Sequence, residues 1–501
     1  MSHTGYLKRF RRILGRNAVS AVSAVTACAA LVSLTGCARE ASAPDPQLVA
    51  QWLRSSLAFV RSERLGPAVA TRIAAYASVA LYEGYASDSD SRLRSLAGQL
   101  NGLATVPVPP ERGSVDGATV ASEAIRVVLD SLFRDGFAST RRTIDSLAKA
   151  QLGAREFAGV ATSERDRSVL HGHALGAAIL AWAAVDSFFV TRGRPWIPPK
   201  GRGMWENTAT VDQYVPQLLS GQSDLVVTNN PNAAIDLERV SEKWVFTNRP
   251  KAVGSNTLPT FNPVRPTEPY WGKLRTFVLR DGDECAPIAP PAYSEAPGSD
   301  FWKMGKEFAD TVGALTPEKR QIALFWADNP VATGTPGFHW ISLVNQMIQA
   351  RRLTADEAVE VNAMTSLAIA DAFIGCWRTK YQTSVVRPVT YMHRVFDRAF
   401  ATVIPTPPFP EYTSGHSVQS AAAVEVLGAT LGNAIPFVDS SQVDIGQPPR
   451  AFASFVAARD EMAISRVYGG VHYLPAVING VAQGKCIGQQ VLSRLKTRTG
   501  A

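Results

Sequence analysis

Cysteine is scarce, five residues in 501. Cys28 and Cys37 fall near the N-terminus, while Cys285, Cys376 and Cys486 stand at unrelated spacings. No close pair or quartet has metal-site spacing, and the last three allow at most one disulfide. Cysteine does not carry the function. Charge is also sparse, at 19% Asp, Glu, Lys and Arg. The net +8 is inflated by Lys8, Arg9, Arg11, Arg12 and Arg16, without which 46 basic residues face 43 acidic ones. No concentrated basic run follows, so nucleic acid is not an expected partner. A Gly-rich phosphate loop with its lysine, an internal repeat and a heptad seam are all missing. What is present is 46% apolar residues, 9% aromatics and a mean hydropathy close to zero. That balance excludes wholesale disorder and a multispanning membrane protein, and it suffices for one large core or two ordinary ones.

The N-terminus reads as an address. The basic stretch precedes a mostly apolar run, Val19 to Leu34, and then Leu34-Thr35-Gly36-Cys37. This order fits a bacterial secretory signal. The last four residues resemble a lipobox, which implies a signal peptide over 1–36 and a lipid on Cys37; an ordinary signal with an incidental Cys is the alternative. Exported, periplasmic or cell-surface localisation follows, with the membrane reached by the lipid anchor only. The apolar run itself is short and broken by Ser, Thr and Gly, which argues against a spanning helix.

After a tether at 37–46, helical periodicity fills 47–190, with Gly66-Pro67 breaking and restarting it. The Ala-rich run around Leu175–Val185 is apolar on most faces and predicts a central helix. Residues 191–300 hold 14 of the 32 prolines and little periodicity. They predict long ordered loops, with a few short strands, walling a pocket. Helical patterns return over 301–496, including Thr354-Ala355-Asp356-Glu357, a capping-box pattern. The expected fold is mainly α, helices bundled around one core, with the long Pro-rich loops in the middle of the chain.

Three clusters in the C-terminal third carry chemistry. The first is Lys380-Tyr381-Gln382-Thr383-Ser384-Val385-Val386-Arg387-Pro388, in which Pro388 biases Arg387 towards an extended backbone. Glu411-Tyr412-Thr413-Ser414-Gly415-His416 comes next and opens a helix that Ser414 can cap, with Gly415 letting an anion approach the backbone. In Ser465-Arg466-Val467-Tyr468-Gly469-Gly470-Val471-His472, a double glycine separates a helix end from His472. One Lys, two Arg, a helix N-terminus and two His match the needs of a tetrahedral or trigonal-bipyramidal oxyanion. The cations neutralise its oxygens, one His binds the central atom, and the other trades protons. Each piece alone fits a solvated helix end or a plain cap; the three together do not. Elsewhere, His171 and His173 are too close in sequence to share a metal on one helical face, and His339 and His393 are isolated, as structural or loop residues are.

These clusters resemble the three-part signature KxxxxxxRP, PSGH, SRxxxxxH. It belongs to the superfamily of type 2 phosphatidic acid phosphatases, bacterial acid phosphatases and vanadium-dependent haloperoxidases, and the chain is most similar to bacterial vanadium chloroperoxidase-like proteins. The resemblance implies that Lys380, Arg387 and Arg466 bind the oxyanion's oxygens, that Ser414 and the Gly415 amide add hydrogen bonds, and that His416 is the acid–base. It makes His472 the vanadate ligand of a haloperoxidase, or the phosphorylated nucleophile of a phosphatase. Trp377 and Phe409 sit at offsets that line the halide side in chloroperoxidase-like relatives, and Asp328 matches an Asp that pairs with the last motif Arg. Core packing accounts for the two aromatics equally well, and a helix-end carboxylate for Asp328.

The chain departs from the family twice. Thr413 replaces a Pro, and Ala476 stands where an Asp usually follows the last His by four residues. A carboxylate there would orient the imidazole and raise its basicity, and the sequence does not say which other acid could substitute. The implied function is vanadate-dependent oxidation of halide by hydrogen peroxide. The alternatives are an acid phosphatase, which needs no cofactor and takes a phosphate ester, and a non-catalytic oxyanion-binding lipoprotein.

Overall fold

The computed structural model describes residues 43–499 except 110–113, 193, 211–212, 331 and most of 215–260. The signal segment, Cys37 and the start of the tether lie outside the described residues. Helices α1 (Gln47–Ser62) and α2 (Pro67–Ala86) flank the expected break, and Pro67 takes the first position of α2, where its missing N–H costs nothing. There follow α3 (Gly117–Leu132), α4 (Ala138–Phe157), α5 (Thr162–Ala184) and the single turn α6 (Phe188–Thr191). The second helical run is α7 (Asp300–Gly313), α8 (Pro317–Phe325), α9 (Thr335–Ala350), α10 (Ala355–Thr383), α11 (Pro388–Val395), α12 (Gly415–Leu431), α13 (Phe455–Tyr468) and α14 (Leu474–Arg494). Between the runs the backbone forms three short strands, β1 (Leu225–Val226), β2 (Asp236–Val240) and β3 (Lys243–Thr247), in the order β1-β3-β2. A two-stranded antiparallel ribbon, β4 (Phe437–Asp439) with β5 (Arg450–Phe452), pairs Asp439 with Arg450.

Two helices form the centre. α2 is buried from Pro67 to Tyr85, and α10 almost throughout from Ala355 to Lys380. Both are apolar on nearly every face, and such helices are stable only when covered on all sides. The capping box at α10 forms as expected: Glu357 N–H donates to Thr354 Oγ1 at 3.3 Å and Thr354 N–H to Glu357 Oε2 at 2.8 Å.

The helix predicted to be central at Leu175–Val185 is instead peripheral. On α5, Leu170 is 72% exposed, and beyond its end Val185 is 71% exposed. Alanine contributes little area, so an Ala-rich run does not by itself demand burial. Only the side carrying Gly172, Gly176 and Ile179 is covered, and there the glycines are needed. A Cβ on Gly176 would lie 2.7 Å from Val127 Cβ of α3.

The loops between the runs are pinned by side chains. Asp371 of α10 accepts N–H bonds from Phe277, Val278 and Leu279 at 2.7, 2.8 and 2.9 Å. This satisfies backbone donors that no strand or helix satisfies. Cys285 in these loops is disulfide-bonded to Cys486 of α14, and Cys376 is free and buried.

Candidate oxyanion site

Local structure delivers the three clusters to one place. Arg387 has the extended backbone expected before Pro388 (φ −71°, ψ 151°), and Pro388 opens the short helix α11, which periodicity did not reveal. Ser414 caps α12, its Oγ accepting Ser417 N–H at 3.4 Å. Its own N–H donates to Ala476 O at 3.0 Å, joining the first turns of α12 and α14. The two helices pack closely because α14 is glycine-rich on that side: a Cβ on Gly484 would lie 2.0 Å from the Val418 carbonyl oxygen. After α13, Gly470 takes a left-handed φ of 82° that folds Val471 and His472 back, so that both amides donate to Arg466 O at 3.2 and 3.3 Å. His416 and His472 thereby line one pocket with Arg466, Trp377, Phe409 and Asp328.

Lys380 comes to the same place with its donors engaged. Its Nζ donates to the carbonyl oxygens of Pro410 and Glu411, both at 3.0 Å, and of Thr413. The ammonium also lies 5.1 Å from the Phe409 ring centre. Burial pushes its pKa down to about 7. Arg387 is placed differently. Nε donates to Phe409 O at 2.9 Å and Nη1 to Val471 O at 2.7 Å, while Nη2 is buried with no partner among the described residues. Arg466 donates from Nη1 to Trp326 O at 3.2 Å and leaves Nε buried and unpartnered.

The histidines differ in the same way. His416 Nε2 is buried and has no partner among the described residues. Burial and nearby Arg466 hold the ring's pKa well below its ordinary value, so it is neutral. His472 is 1% exposed, and burial, reinforced by Arg387 and Lys380, keeps it neutral as well. Its Nδ1 lies 2.9 Å from Glu411 Oε1, which also accepts Tyr473 N–H at 3.0 Å, and its Nε2 lies 3.3 Å from Arg387 Nη1. Glu411 was quoted in the second cluster without a role. The signal available was a lone carboxylate in an otherwise uncharged stretch, Val403–Gly415.

Asp328 lines the pocket, and its charge favours the Arg466 cation, but its hydrogen bonds go elsewhere. It faces His339 Nδ1 at 3.0 Å and accepts from Gln442 Nε2 at 2.6 Å. Of the two readings of His339, the structural one holds: it sits on α9 and is fully enclosed. Asp439 meets its Nε2 at 2.7 Å, and Trp326 stacks on the ring at 4.5 Å. Burial alone would lower its pKa, but the two carboxylates outweigh burial and push it up to about 10. Trp377 and Phe409 pack together at 4.9 Å, and Trp377 Nε1 donates to Thr267 O at 3.0 Å. Of the remaining histidines, His171 faces Ser87 Oγ at 3.1 Å, His173 is exposed, and His393 faces Phe400 O at 2.8 Å.

The VCPO second helical-bundle domain family matches residues 395–500. No curated protein matches the chain. Among solved structures, a bacterial vanadium-dependent iodoperoxidase is 31% identical over 92% of this chain and 98% of its own, with a TM-score of 0.74. A bacterial vanadium-dependent chloroperoxidase in its holo form shares the fold at 15% identity and a TM-score of 0.60, covering 91% of this chain and 98% of its own. Its apo form has 16% identity and a TM-score of 0.58, over 86% and 95%. With a mainly helical fold, the three motif clusters gathered at one buried pocket and a relative this similar along nearly its whole length, the chain belongs to the family of vanadium-dependent haloperoxidases.

Proposed function

We propose that the protein is a vanadate-dependent haloperoxidase that uses hydrogen peroxide to oxidise a halide. One observation carries the reading: Arg387 Nη2, Arg466 Nε and His416 Nε2 are buried in one site with no partner among the described residues. Unmatched buried polar atoms cost about 1–3 kcal/mol each, and two guanidinium donors, an imidazole and the Nε2 of His472 form a set that an oxyanion satisfies. Vanadate fits this set, and when bound it supplies a Lewis acid that polarises the peroxide without itself changing oxidation state.

The remaining work falls to the chain. His472 offers Nε2 as the ligand atom. Arg387 and Arg466 neutralise oxygens with charge that burial cannot remove at neutral pH. His416, neutral and unpartnered at Nε2, takes a proton from incoming peroxide and returns one to the departing oxygen. Lys380 adds positive potential below about pH 7, where it is protonated, while its hydrogen bonds hold the chain at Pro410–Thr413. Trp377, Phe409 and Phe373 give the pocket an apolar wall. A large halide loses least on entering such a wall, because the cost of transferring a charge from water falls as the ion grows. Iodide is therefore the halide to try first, in line with the name of the 31%-identical relative.

Export as a lipoprotein through Cys37 is part of the same proposal, supported by the Cys285–Cys486 disulfide, since disulfides persist in oxidising compartments. The purified protein, with and without vanadate, is assayed for peroxide-dependent triiodide formation and for phosphate release from a phosphomonoester. Vanadate-dependent iodide oxidation supports the reading. Phosphate release without it moves the assignment to a phosphatase.

A further inference from the structure

The family pattern puts an Asp four residues after the last histidine, and this chain has Ala476 there, 1% exposed. Ala476 offers no carboxylate: its carbonyl accepts Ser414 N–H and its methyl is buried in an apolar cluster. The imidazole of His472 nevertheless has a carboxylate. Glu411 approaches from the opposite side in sequence, 61 residues upstream, with Oε1 at 2.9 Å from Nδ1.

Hydrogen-bond roles identify which nitrogen carries the proton. Arg387 Nη1 can only donate, so His472 Nε2, 3.3 Å away, is the acceptor with the lone pair. The ring proton then sits on Nδ1 and is donated to Glu411 Oε1. That oxygen also accepts Tyr473 N–H at 3.0 Å. Glu411 is itself immobilised. Its N–H donates to Val385 O at 3.1 Å, and its carbonyl accepts Lys380 Nζ at 3.0 Å, so the backbone beneath the carboxylate is held from both sides.

We propose that Glu411 is the positioning residue for His472, taking over from the loop before α12 the task that the family gives to an Asp on the last helix. It fixes the Nδ1–H tautomer and the ring orientation, leaving Nε2 as the atom that faces the oxyanion. The part concerning vanadate rests on the function proposed above; the part concerning the tautomer does not. It also follows that a carboxylate added at 476 is superfluous while Glu411 is present.

The full mature protein is compared with Glu411→Gln, Glu411→Ala, Ala476→Asp and the Glu411→Ala/Ala476→Asp double variant. Two quantities are read: vanadate affinity by equilibrium dialysis, and the His472 tautomer from selectively 15N-labelled histidine at one fixed pH. Partners of this kind typically change affinity about 10–100-fold. Glu411→Gln keeps an acceptor oxygen but loses charge, so it should keep the Nδ1–H form and bind vanadate about 10-fold more weakly. Glu411→Ala should approach the 100-fold end and lose the single tautomer. Ala476→Asp alone should not tighten binding, whereas in the Glu411→Ala background it should recover part of the loss.

Wild-type affinity in a folded Glu411→Ala variant overturns the proposal. So does tighter binding by Ala476→Asp alone, because it would mean that His472 lacks an effective partner. If the wild type binds no vanadate, the haloperoxidase reading fails. The tautomer then still decides the role of Glu411: a wild-type Nδ1–H form lost in Glu411→Ala sustains it, and no change removes it.

Discussion

His339 lies between Asp328 and Asp439, one carboxylate at hydrogen-bond distance from each ring nitrogen, and although Gln442 Nε2 also lies 3.1 Å from Nδ1, the two negative charges favour the imidazolium. Its pKa rises from about 6.5 to about 10 on folding. The stabilisation is fully present below about pH 6.5 and is lost as pH rises to about 10, at about 1.4 kcal/mol per unit. At most about 5 kcal/mol is therefore at stake over that range. Asp439→Asn removes one carboxylate. The imidazole can then go neutral, donating Nδ1–H to Asp328 and accepting an Asn N–H at Nε2. The loss at about pH 6.5 should accordingly lie near the low end of that for broken buried pairs, about 3 kcal/mol. Urea unfolding of both proteins at about pH 6.5, 8 and 9.5, with the disulfide intact, should show the gap shrinking as pH rises, because the wild type is giving up what the variant never had. A gap of constant size across these pH values would refute the charged state of His339.

His472→Ala should abolish tight vanadate binding, whereas His416→Ala should keep part of the binding and lose turnover; equilibrium dialysis alongside the iodide assay separates the two. Cys285→Ser with Cys486→Ser, which opens a link across 201 positions, should lower stability by up to about 5 kcal/mol. Comparing its urea midpoint with that of reduced wild type checks that the effect comes from the bond. Cys37→Ser should leave the precursor unprocessed by a lipoprotein peptidase, and a normally exported soluble protein cut at another bond would count against the lipid anchor.

Much of the fold was legible because its signals are local. Pro67 after Gly66, Thr354 with Glu357, and Ser414 before Gly415 each satisfy or remove an orphan backbone group at a helix end, so they mark boundaries from sequence alone. What was misplaced depended on tertiary partners. The Ala-rich run of α5 read as apolar on most faces, but it is α2 that carries bulky residues such as Ile73, Tyr76 and Tyr82 that need cover on every side. Helix α11 is eight residues long, too short for periodicity to show.

The site follows the same division. Residue types and spacings were enough to bring Lys380, Arg387, Ser414, His416, Arg466 and His472 together, because each cluster sits at a helix end whose geometry its own residues set. The bonding within the cluster was not readable. Lys380 matches a cation that the family pattern aims at an oxyanion, yet three backbone carbonyls of Pro410, Glu411 and Thr413 engage its ammonium. The carbonyls point inward because this loop has no strand or helix to satisfy them, and a buried carbonyl accepts the nearest donor. That choice has a consequence for the chemistry. By clamping the loop, Lys380 fixes the carbonyl of Glu411, and Glu411 in turn holds His472. The departure at Ala476 therefore leaves the histidine without its usual partner in sequence but not in space. One carboxylate suffices for one imidazole proton, and the loop supplies it.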